Sequence, residues 1–334
     1  MQLFFAQARR SNFAGSAGVA IKQGTVRLDP IPASPRSIVR RRLRSDLTTS
    51  SMLYLETPFL RVAVLDPTDP ADLARQGTRY CHGGYLWQVY DSAGVPLLSG
   101  PEYPRPDPSA FNGQGLPESF RHRKRNGTPL TWSGETGLGI GIGTLVAPAA
   151  DNVEIRDFCA WSVVRSPDQL CFQTRQTVAG FAVELTRRVE LVDRTIGSYN
   201  QLTNVGDRPL ELQWFAHPFW PLTQGRALIR LPAGTTLPAN PGFAVAADGT
   251  LSFLRPFVSP DDNQFALLSL PPNQPLALSV DHPHLTLVNF ETSFVPDECP
   301  VWANAHTISV EPYLNLRLFP GETRRWHVKH SFEV

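Results

Sequence analysis

The 334-residue sequence lacks the features that mark several large classes of protein. It has no run of about 18 or more apolar residues, which argues against a membrane-spanning helix. Its charges nearly cancel, with 31 Lys and Arg against 30 Asp and Glu, so no global field favours nucleic acid or an anionic membrane. Because 42% of its residues are hydrophobic, the chain can bury a sizeable core. We therefore expect a soluble globular protein that binds neither nucleic acid nor a membrane.

Patterns of cysteine and of metal ligands are also sparse. The four cysteines are Cys81, Cys159, Cys171 and Cys299. They show no CxxC spacing, and in a long chain they indicate buried thiols in a reducing compartment, hence a cytoplasmic protein. Only the middle two are close enough in sequence for a hairpin disulfide. His282 and His284 form an HxH pair without a third ligand, so we predict no metal site.

The first 50 residues differ from the rest in charge. Their first acidic residue is Asp29, and residues 40–44 read RRRLR. An acid-poor, arginine-containing N-terminus is typical of an organelle-targeting sequence or of a flexible tail, and a charge run usually lies in solvent. We predict a tail over residues 1–50 that contributes no catalytic residue, followed by one β domain over residues 51–334.

The remainder of the chain favours β-strands. β-branched and aromatic residues alternate with polar ones over short runs bounded by Gly, Pro, Asn and Asp. The predicted strands are 53–65, 78–90, 170–177, 181–191, 197–203, 210–219, 266–270, 285–290, 307–318 and 325–332. Helical periodicity is nearly absent, since only residues 70–76 suit a short helix, and 31 prolines fit many loops. Many short strands without helices between them predict an all-β, large antiparallel β-sandwich.

A glycine-rich stretch over residues 137–143 invites comparison with a phosphate-binding loop. Such a loop requires its glycines to open a helix. Here the glycines alternate with Leu and Ile and no helix follows. We predict a strand packed closely against another backbone or an aromatic ring.

Two C-terminal segments resemble a known family. Residues 202–221 read LTNVGDRPLELQWFAHPFWP, in which L-x-N-x-G leads into a strand that ends in His217 and aromatic residues. Residues 308–332 read ISVEPYLNLRLFPGETRRWHVKHSF, with a V-E-P strand, a P-G-E turn and a last strand bearing an aromatic residue. In this order they resemble the galactose mutarotase-like superfamily, which includes aldose 1-epimerases and hexose-phosphate mutarotases. The resemblance covers about residues 53–334 and implies the mutarotase-like supersandwich.

The resemblance also implies an activity, the interconversion of the α and β anomers of an aldose. It assigns the catalytic acid–base pair to His217 and Glu311. Ring opening must remove a proton from O1 and deliver one to O5, which needs an acid and a base acting together and neither a cofactor nor a metal. From the residues alone, His217 also fits a core histidine, and Glu311 also fits a structural ion pair with Arg317 or Arg79.

Five residues are candidate substrate ligands, namely Arg79, His82, Glu118, His122 and Trp302. Arg79 would contact a hydroxyl or a phosphate, and Trp302 would lie against the sugar ring. Residues 113–125, GQGLPESFRHRKR, stand where mutarotases place a second His and an Arg, but the family's HGF-x-R form is absent. His122, or its rival His82, would then supply the second His. The cations of residues 121–125 suit a solvated loop or a pocket for a sugar phosphate or uronic acid.

The expected partner is therefore a small-molecule sugar or sugar phosphate, and the sequence does not define an oligomeric state. An alternative function is a non-catalytic carbohydrate-binding protein that uses the same cleft, because the family's second-His motif is altered around His122.

Overall fold

The computed structural model describes residues 52–106, 113–149 and 152–334, and the tail predicted over residues 1–50 lies outside these ranges. Within them the chain forms one helix and 24 strands, numbered here in chain order. The helix α1 spans Pro70–Leu73 and begins after Asp69, whose carboxylate accepts the backbone N–H of Ala71 at 2.7 Å. In the described part of the chain no helix is long and apolar enough to cross a membrane.

The largest element is a ten-stranded sheet in which every neighbouring pair is antiparallel. Its strands in spatial order are β16 (Phe243–Val245), β17 (Thr250–Phe253), β15 (Leu228–Arg230), β19 (Ala277–Asp281), β20 (Leu287–Thr292), β24 (Thr323–Glu333), β12 (Thr195–Asn204), β11 (Phe181–Val192), β10 (Gln169–Val178) and β9 (Ser162–Arg165). Along β11, and along β24 from Trp326 onward, every second residue is buried. This period-2 pattern gives the sheet one face toward the core.

Four smaller antiparallel sheets complete the described fold. Their strands are β1 (Leu53–Glu56), β2 (Leu60–Val64) and β3 (Leu86–Asp91); β23 (Tyr313–Leu318), β13 (Leu210–Ala216) and β4 (Glu118–Arg121); β14 (Trp220–Pro221), β22 (Thr307–Val310), β21 (Cys299–Ala303) and β18 (Gln264–Leu268); and β5 (Trp132–Ser133), β6 (Thr136–Gly139), β7 (Gly143–Ala149) and β8 (Asn152–Phe158).

Aromatic side chains pack the β23-β13-β4 sheet onto the ten-stranded sheet. Trp214 of β13 and Phe120 of β4 both contact Trp326 of β24 edge-on, with ring centroids 5.6 and 6.0 Å apart. Because side chains alternate across a strand, Phe215 and Ser119, the neighbours of these residues, point to the other face. The sheet therefore has a core face and an outer face, and the outer face belongs to the candidate site described below. The all-β antiparallel sandwich predicted from the sequence is confirmed.

Among the predicted strands whose bounds differ from the structure, two bear on the site. The strand predicted over residues 78–90 begins only at Leu86, because the two glycines at residues 83 and 84 turn the chain and Gly84 has φ +70°. The strand predicted over residues 307–318 is divided into β22 and β23, since Pro312 cannot donate to a ladder. The loop of residues 78–85 and the break at residues 311–312 both supply side chains to the site.

The glycine-rich stretch forms the hairpin of β6 and β7. A Cβ on Gly137 would lie 2.6 Å from the indole of Trp132, so the predicted close packing against an aromatic ring is confirmed. All four cysteines are free thiols, two of them buried, and the hairpin disulfide considered for Cys159 and Cys171 is not formed.

Candidate active site

The site is centred on a contact between His217 and Glu311. Nε2 of His217 lies 3.3 Å from Oε1 of Glu311, and the two side chains are 4% and 5% exposed. His217 follows the end of β13 and donates its backbone N–H to Pro117 at 2.9 Å. Glu311 follows the end of β22 and donates its backbone N–H to Pro300 at 2.8 Å. The two strand ends thus hold an imidazole and a carboxyl group against each other.

Neighbouring groups fix the orientation of the imidazole. Oγ of Ser309 lies 2.9 Å from Nδ1 of His217. The ring also packs on Phe219, with centroids 4.4 Å apart and planes 30° apart. A hydroxyl can donate or accept a hydrogen bond, so Ser309 holds the ring in either neutral tautomer. The imidazole can therefore exchange a proton without turning.

Burial moves the pKa values of the pair in opposite directions. Burial raises the pKa of Glu311 from 4.5 to about 7, against the opposing positive charges of Arg79, Arg125 and Arg121. Burial, with Arg79 adding to it, lowers the pKa of His217 well below 6.5. Near neutral pH the imidazole is uncharged, so the contact is not an ion pair. A single proton shared by the two groups resides on the carboxyl.

Arg79 brings a positive charge to the site. It lies on the loop of residues 78–85, with its guanidinium carbon 5.3 Å from the ring centroid of Tyr80 and 5.6 Å from that of Phe215. Phe215 in turn stacks on Tyr313, its partner across β13 and β23, with centroids 4.5 Å apart. Arg79 is partly exposed, and among the described residues its guanidinium has no hydrogen-bond or ion-pair partner. The site therefore places a cation near His217 and Glu311.

Two aromatic side chains flank the pair. Trp302 of β21 is partly buried and lies edge-on to His217, with centroids 6.5 Å apart. Tyr80 is buried and lies edge-on to His217 at 5.9 Å. Its hydroxyl has no hydrogen-bond partner among the described residues, and burial raises the pKa of Tyr80, so the hydroxyl stays protonated. An unpaired buried hydroxyl costs stability unless a ligand supplies the missing bond.

Sequence reasoning identified His217, Glu311, Arg79 and Trp302 but not Tyr80, Tyr313 or Ser309. Ser309 was predictable, because residues two apart on a strand face the same side and it precedes Glu311 by two. Tyr80 follows Arg79 in a loop that the sequence presents as a strand, and no local pattern separates it from the core tyrosines.

Residues 121–125, at the end of β4 and just after it, contribute two further cations to the site. Arg121 donates to the hydroxyl of Tyr313 at 3.2 Å and to the carbonyl of Arg123 at 3.0 Å. Arg125 pairs with Glu298 at 3.3 Å and lies over the ring of Tyr313. Arg123 stacks on the ring of Trp132 at 4.2 Å. Of the cations of residues 121–125, Arg121 and Arg125 therefore lie beside Tyr313, and the anion pocket considered for these residues stays a prediction.

The structure holds the two histidine candidates for the second-His role in other contacts. Nδ1 of His122 accepts a hydrogen bond from Nε1 of Trp132 at 3.1 Å, and burial, with Arg123 and Arg121, lowers the pKa of His122 to about 4. Nε2 of His82 lies 3.1 Å from the carbonyl of Gly77, and its ring packs against Phe158. Neither of these contacts supports a role in substrate binding.

Glu118 lies on the core face of β4 rather than at the site. It is the register partner of Ala216, whereas its neighbour Ser119 is the partner of Phe215 on the outer face. Its carboxylate lies 2.8 Å from Arg187 of β11, and Ser198 and Asn200 of β12 donate to it. This is a buried network that ties two sheets together. The placement gives no support to the substrate-binding role that the sequence suggests for Glu118.

Across the described ranges, no three His, Cys, Asp or Glu side chains lie close enough together to hold a metal ion. His282 of the HxH pair bonds to the backbone carbonyl of Leu97 at 2.8 Å through its Nε2.

Comparison with solved structures identifies the fold. The chain superposes on a galactose mutarotase-like protein from Lactobacillus casei with a TM-score of 0.55 and 14% identity, covering 84% of this chain and 100% of that one. For the galactose mutarotase related enzyme from Lactobacillus acidophilus the TM-score is 0.54 and the identity 13%, over 85% and 97% of the two chains. A galactose mutarotase-like protein from Clostridium acetobutylicum gives 0.50 and 12%, over 84% and 95%.

The protein therefore has the galactose mutarotase-like fold, as the C-terminal motifs imply. No model of a known family and no curated protein matches the sequence.

Proposed function

We propose that the protein is an aldose 1-epimerase-like isomerase that interconverts the α and β anomers of a sugar. The observation that carries this proposal is the buried contact of 3.3 Å between His217 and Glu311. Two proton-exchanging groups at this separation can reach O1 and O5 of one aldose ring, which are bonded to the same carbon. Side chains placed in this way are typically worth about 10²–10⁴ in rate.

In the proposed reaction the pair holds one proton when the sugar binds. Glu311 carries it, because burial raises the pKa of the carboxyl and lowers that of His217. The neutral imidazole accepts the proton of the O1 hydroxyl while the carboxylic acid protonates O5. The C1–O5 bond breaks and the C1=O1 double bond forms, so electrons and protons balance without a cofactor.

Ring closure on the other face of the carbonyl inverts C1 and uses the same groups in reverse. The imidazolium of His217 returns a proton to O1, and the carboxylate of Glu311 takes one from O5. The pair ends with the single proton it began with. Ser309 can accept or donate, so it supports both protonation states of the imidazole.

The charges around the pair support a substrate with a negative group. Arg79 has a guanidinium without a partner among the described residues. The positive charges of Arg79, Arg125 and Arg121 all favour the ionised form of Glu311, which shows that they lie near the pair. Arginine presents a planar set of donors that matches a carboxylate or a phosphate. We therefore infer a sugar phosphate or a uronic acid as substrate, with Trp302 against the ring and Tyr80 donating to a hydroxyl.

The test is anomeric equilibration followed by polarimetry, with glucose, galactose, glucose 6-phosphate and galacturonate as substrates. We expect the protein to accelerate at least one of these, and Glu311→Gln to lower kcat/KM by about 10² or more. The matched control is Glu211→Gln, which removes an exposed carboxylate 3.8 Å from Arg317 and is expected to leave the rate unchanged. Loss of activity in both variants, or in neither, would contradict the assignment.

A non-catalytic carbohydrate-binding protein is the second candidate. It is favoured by the placement of His122 against Trp132 and of His82 against Gly77, which leaves the pair without a further histidine. Binding of a sugar in calorimetry without acceleration of any anomeric equilibrium would select this function instead.

A further inference from the structure

The acid–base pair lies at one end of an apolar surface that leads away from it across three strands. Ser309 of β22, Trp302 of β21 and Phe265 of β18 are direct register partners. Partners in an antiparallel sheet point to the same face, so these three side chains form one row. Ser309 bonds to His217 at one end of the row, and Phe265 lies at the other end, on the edge strand.

A second row runs beside the first. Leu267 of β18 is the register partner of Pro300 of β21, and Pro300 accepts the backbone N–H of Glu311. The intervening residues, Ala266 and Val301, are buried on the opposite face of the sheet. We use the name platform for the surface formed by Trp302, Phe265 and Leu267.

The outer part of the platform is open to solvent. Phe265 is 37% exposed and Leu267 is 41% exposed, although both are large apolar side chains. Arg125 lies over one side of the Phe265 ring at 4.9 Å and pairs with Glu298 at 3.3 Å. The platform therefore combines an aromatic surface with a charged rim, which suits the apolar CH face and the hydroxyl rim of a sugar.

The length of the row decides how much sugar it can hold. From Ser309 to Phe265 the row spans two strand spacings, about 10 Å. One pyranose ring bound at His217 and Glu311, with Trp302 beside it, does not reach Phe265. A second ring joined to the first does.

We propose that the platform is a second carbohydrate subsite, and that the substrate is the reducing end of a disaccharide or longer oligosaccharide whose next ring stacks on Phe265 and Leu267. The proposal rests on the function proposed above, which places the first ring at the acid–base pair.

The test compares each monosaccharide with its reducing disaccharide: glucose with maltose and cellobiose, and galacturonate with digalacturonate. The measured quantity is the ratio of kcat/KM for the disaccharide to that for the monosaccharide. We expect this ratio to exceed one in the wild-type protein and to fall about tenfold in Phe265→Ala. A tenfold fall is what the loss of one aromatic contact, together with the apolar area it buries, typically produces. A ratio near one, or one that Phe265→Ala leaves unchanged, overturns the proposal.

The chain offers a closely matched control in Phe59→Ala. Phe59 is 38% exposed and lies under Arg194 at 4.6 Å, so it has the same exposure and the same type of cation contact as Phe265. We expect its removal to leave the ratio unchanged, and an equal fall in both variants would overturn the proposal.

Two further outcomes distinguish a sugar subsite from a contact between copies of the chain and from a failure of the proposed enzyme function. If Phe265→Ala leaves the ratio unchanged but converts a dimer to a monomer in sedimentation, the platform is a contact between copies and the proposal is wrong. If no sugar is isomerised, the proposed enzyme function fails, and the platform is then judged by calorimetry. The second subsite is supported if the wild-type protein binds a disaccharide more tightly than its monosaccharide, and if Phe265→Ala loses this difference while Phe59→Ala keeps it. Equal binding of the two sugars overturns the proposed subsite.

Discussion

Ionisation of Glu311 is expected to weaken the folded protein, and this provides a test of its role that requires no substrate. Burial raises its pKa from 4.5 to about 7. One pKa unit corresponds to about 1.4 kcal/mol, so holding the charged carboxylate costs the folded state about 3 kcal/mol. In the unfolded chain the carboxyl ionises in water near its usual pKa.

The sign follows from the direction of the change in pKa. The folded state favours the protonated carboxyl, so this group's contribution to stability is complete below pH 4.5 and is lost as the pH rises toward 7. Glu311→Gln has no proton to lose and keeps the neutral state at all pH values. We expect the variant to gain stability over the wild type as the pH rises, reaching about 3 kcal/mol by pH 8, with little difference below pH 4.5.

The assay is urea-induced unfolding of both proteins at intervals between pH 4 and pH 9, with Glu211→Gln as the control. Glu211 is exposed, so its variant should stay within about 0.5 kcal/mol of the wild type throughout. If Glu311 were a structural ion-pair partner of an arginine, Glu311→Gln would destabilise the protein at pH 8 instead. That result, or a difference independent of pH, would refute the role assigned to this carboxyl.

Three further predictions concern the pair, the core and the cation. The rate of anomer interconversion should fall above pH 7, where Glu311 loses its proton, and again well below pH 6.5, where His217 gains one; a rate profile flat from pH 5 to 9 would contradict the one-proton pair. Glu118→Gln should destabilise the protein by about 3–5 kcal/mol in urea unfolding, because it leaves Arg187 charged and buried without a counter-ion; a loss below about 1 kcal/mol would argue against this pair as a core element. Arg79→Met should raise KM for glucose 6-phosphate or galacturonate more than for the neutral sugars, and an equal effect on both would argue against an anion contact.

The sequence predicts the sandwich well where strands are long. The strands predicted over residues 170–177, 181–191, 197–203 and 325–332 correspond to β10, β11, β12 and β24. These strands lie side by side in the large sheet, bury alternate residues and so display the period-2 pattern in their sequences. Short strands such as β5 and β14, two residues each, exist through tertiary pairing and have no pattern of their own to detect.

Part of the candidate site was also predictable from the sequence. His217 and Glu311 stand in two family-like motifs, and the structure brings them together from the ends of β13 and β22, which are far apart in the chain. Glu118 shows the opposite case. A carboxylate shortly before a basic run looks like a ligand, but the register of β4 turns it toward Arg187 on the core side. Which face of a short strand is buried depends on pairing that the sequence does not display.

Two of the buried carboxylates among the described residues, Glu118 and Glu311, show how a functional site can be distinguished from a structural element of the core. Glu118 is paired with Arg187 and accepts from Ser198 and Asn200, so its charge is compensated where it lies. Glu311 is also buried, yet the side chain it contacts is the neutral imidazole of His217, and burial raises the pKa of Glu311. A protein retains an undercompensated carboxylate at a cost in stability when the group must exchange protons, because a fully paired carboxylate would be too weak a base or acid near neutral pH. At pH 8, Glu118→Gln should therefore be less stable than the wild-type protein in urea unfolding, and Glu311→Gln should be more stable. Only Glu311→Gln should abolish turnover while the fold remains intact.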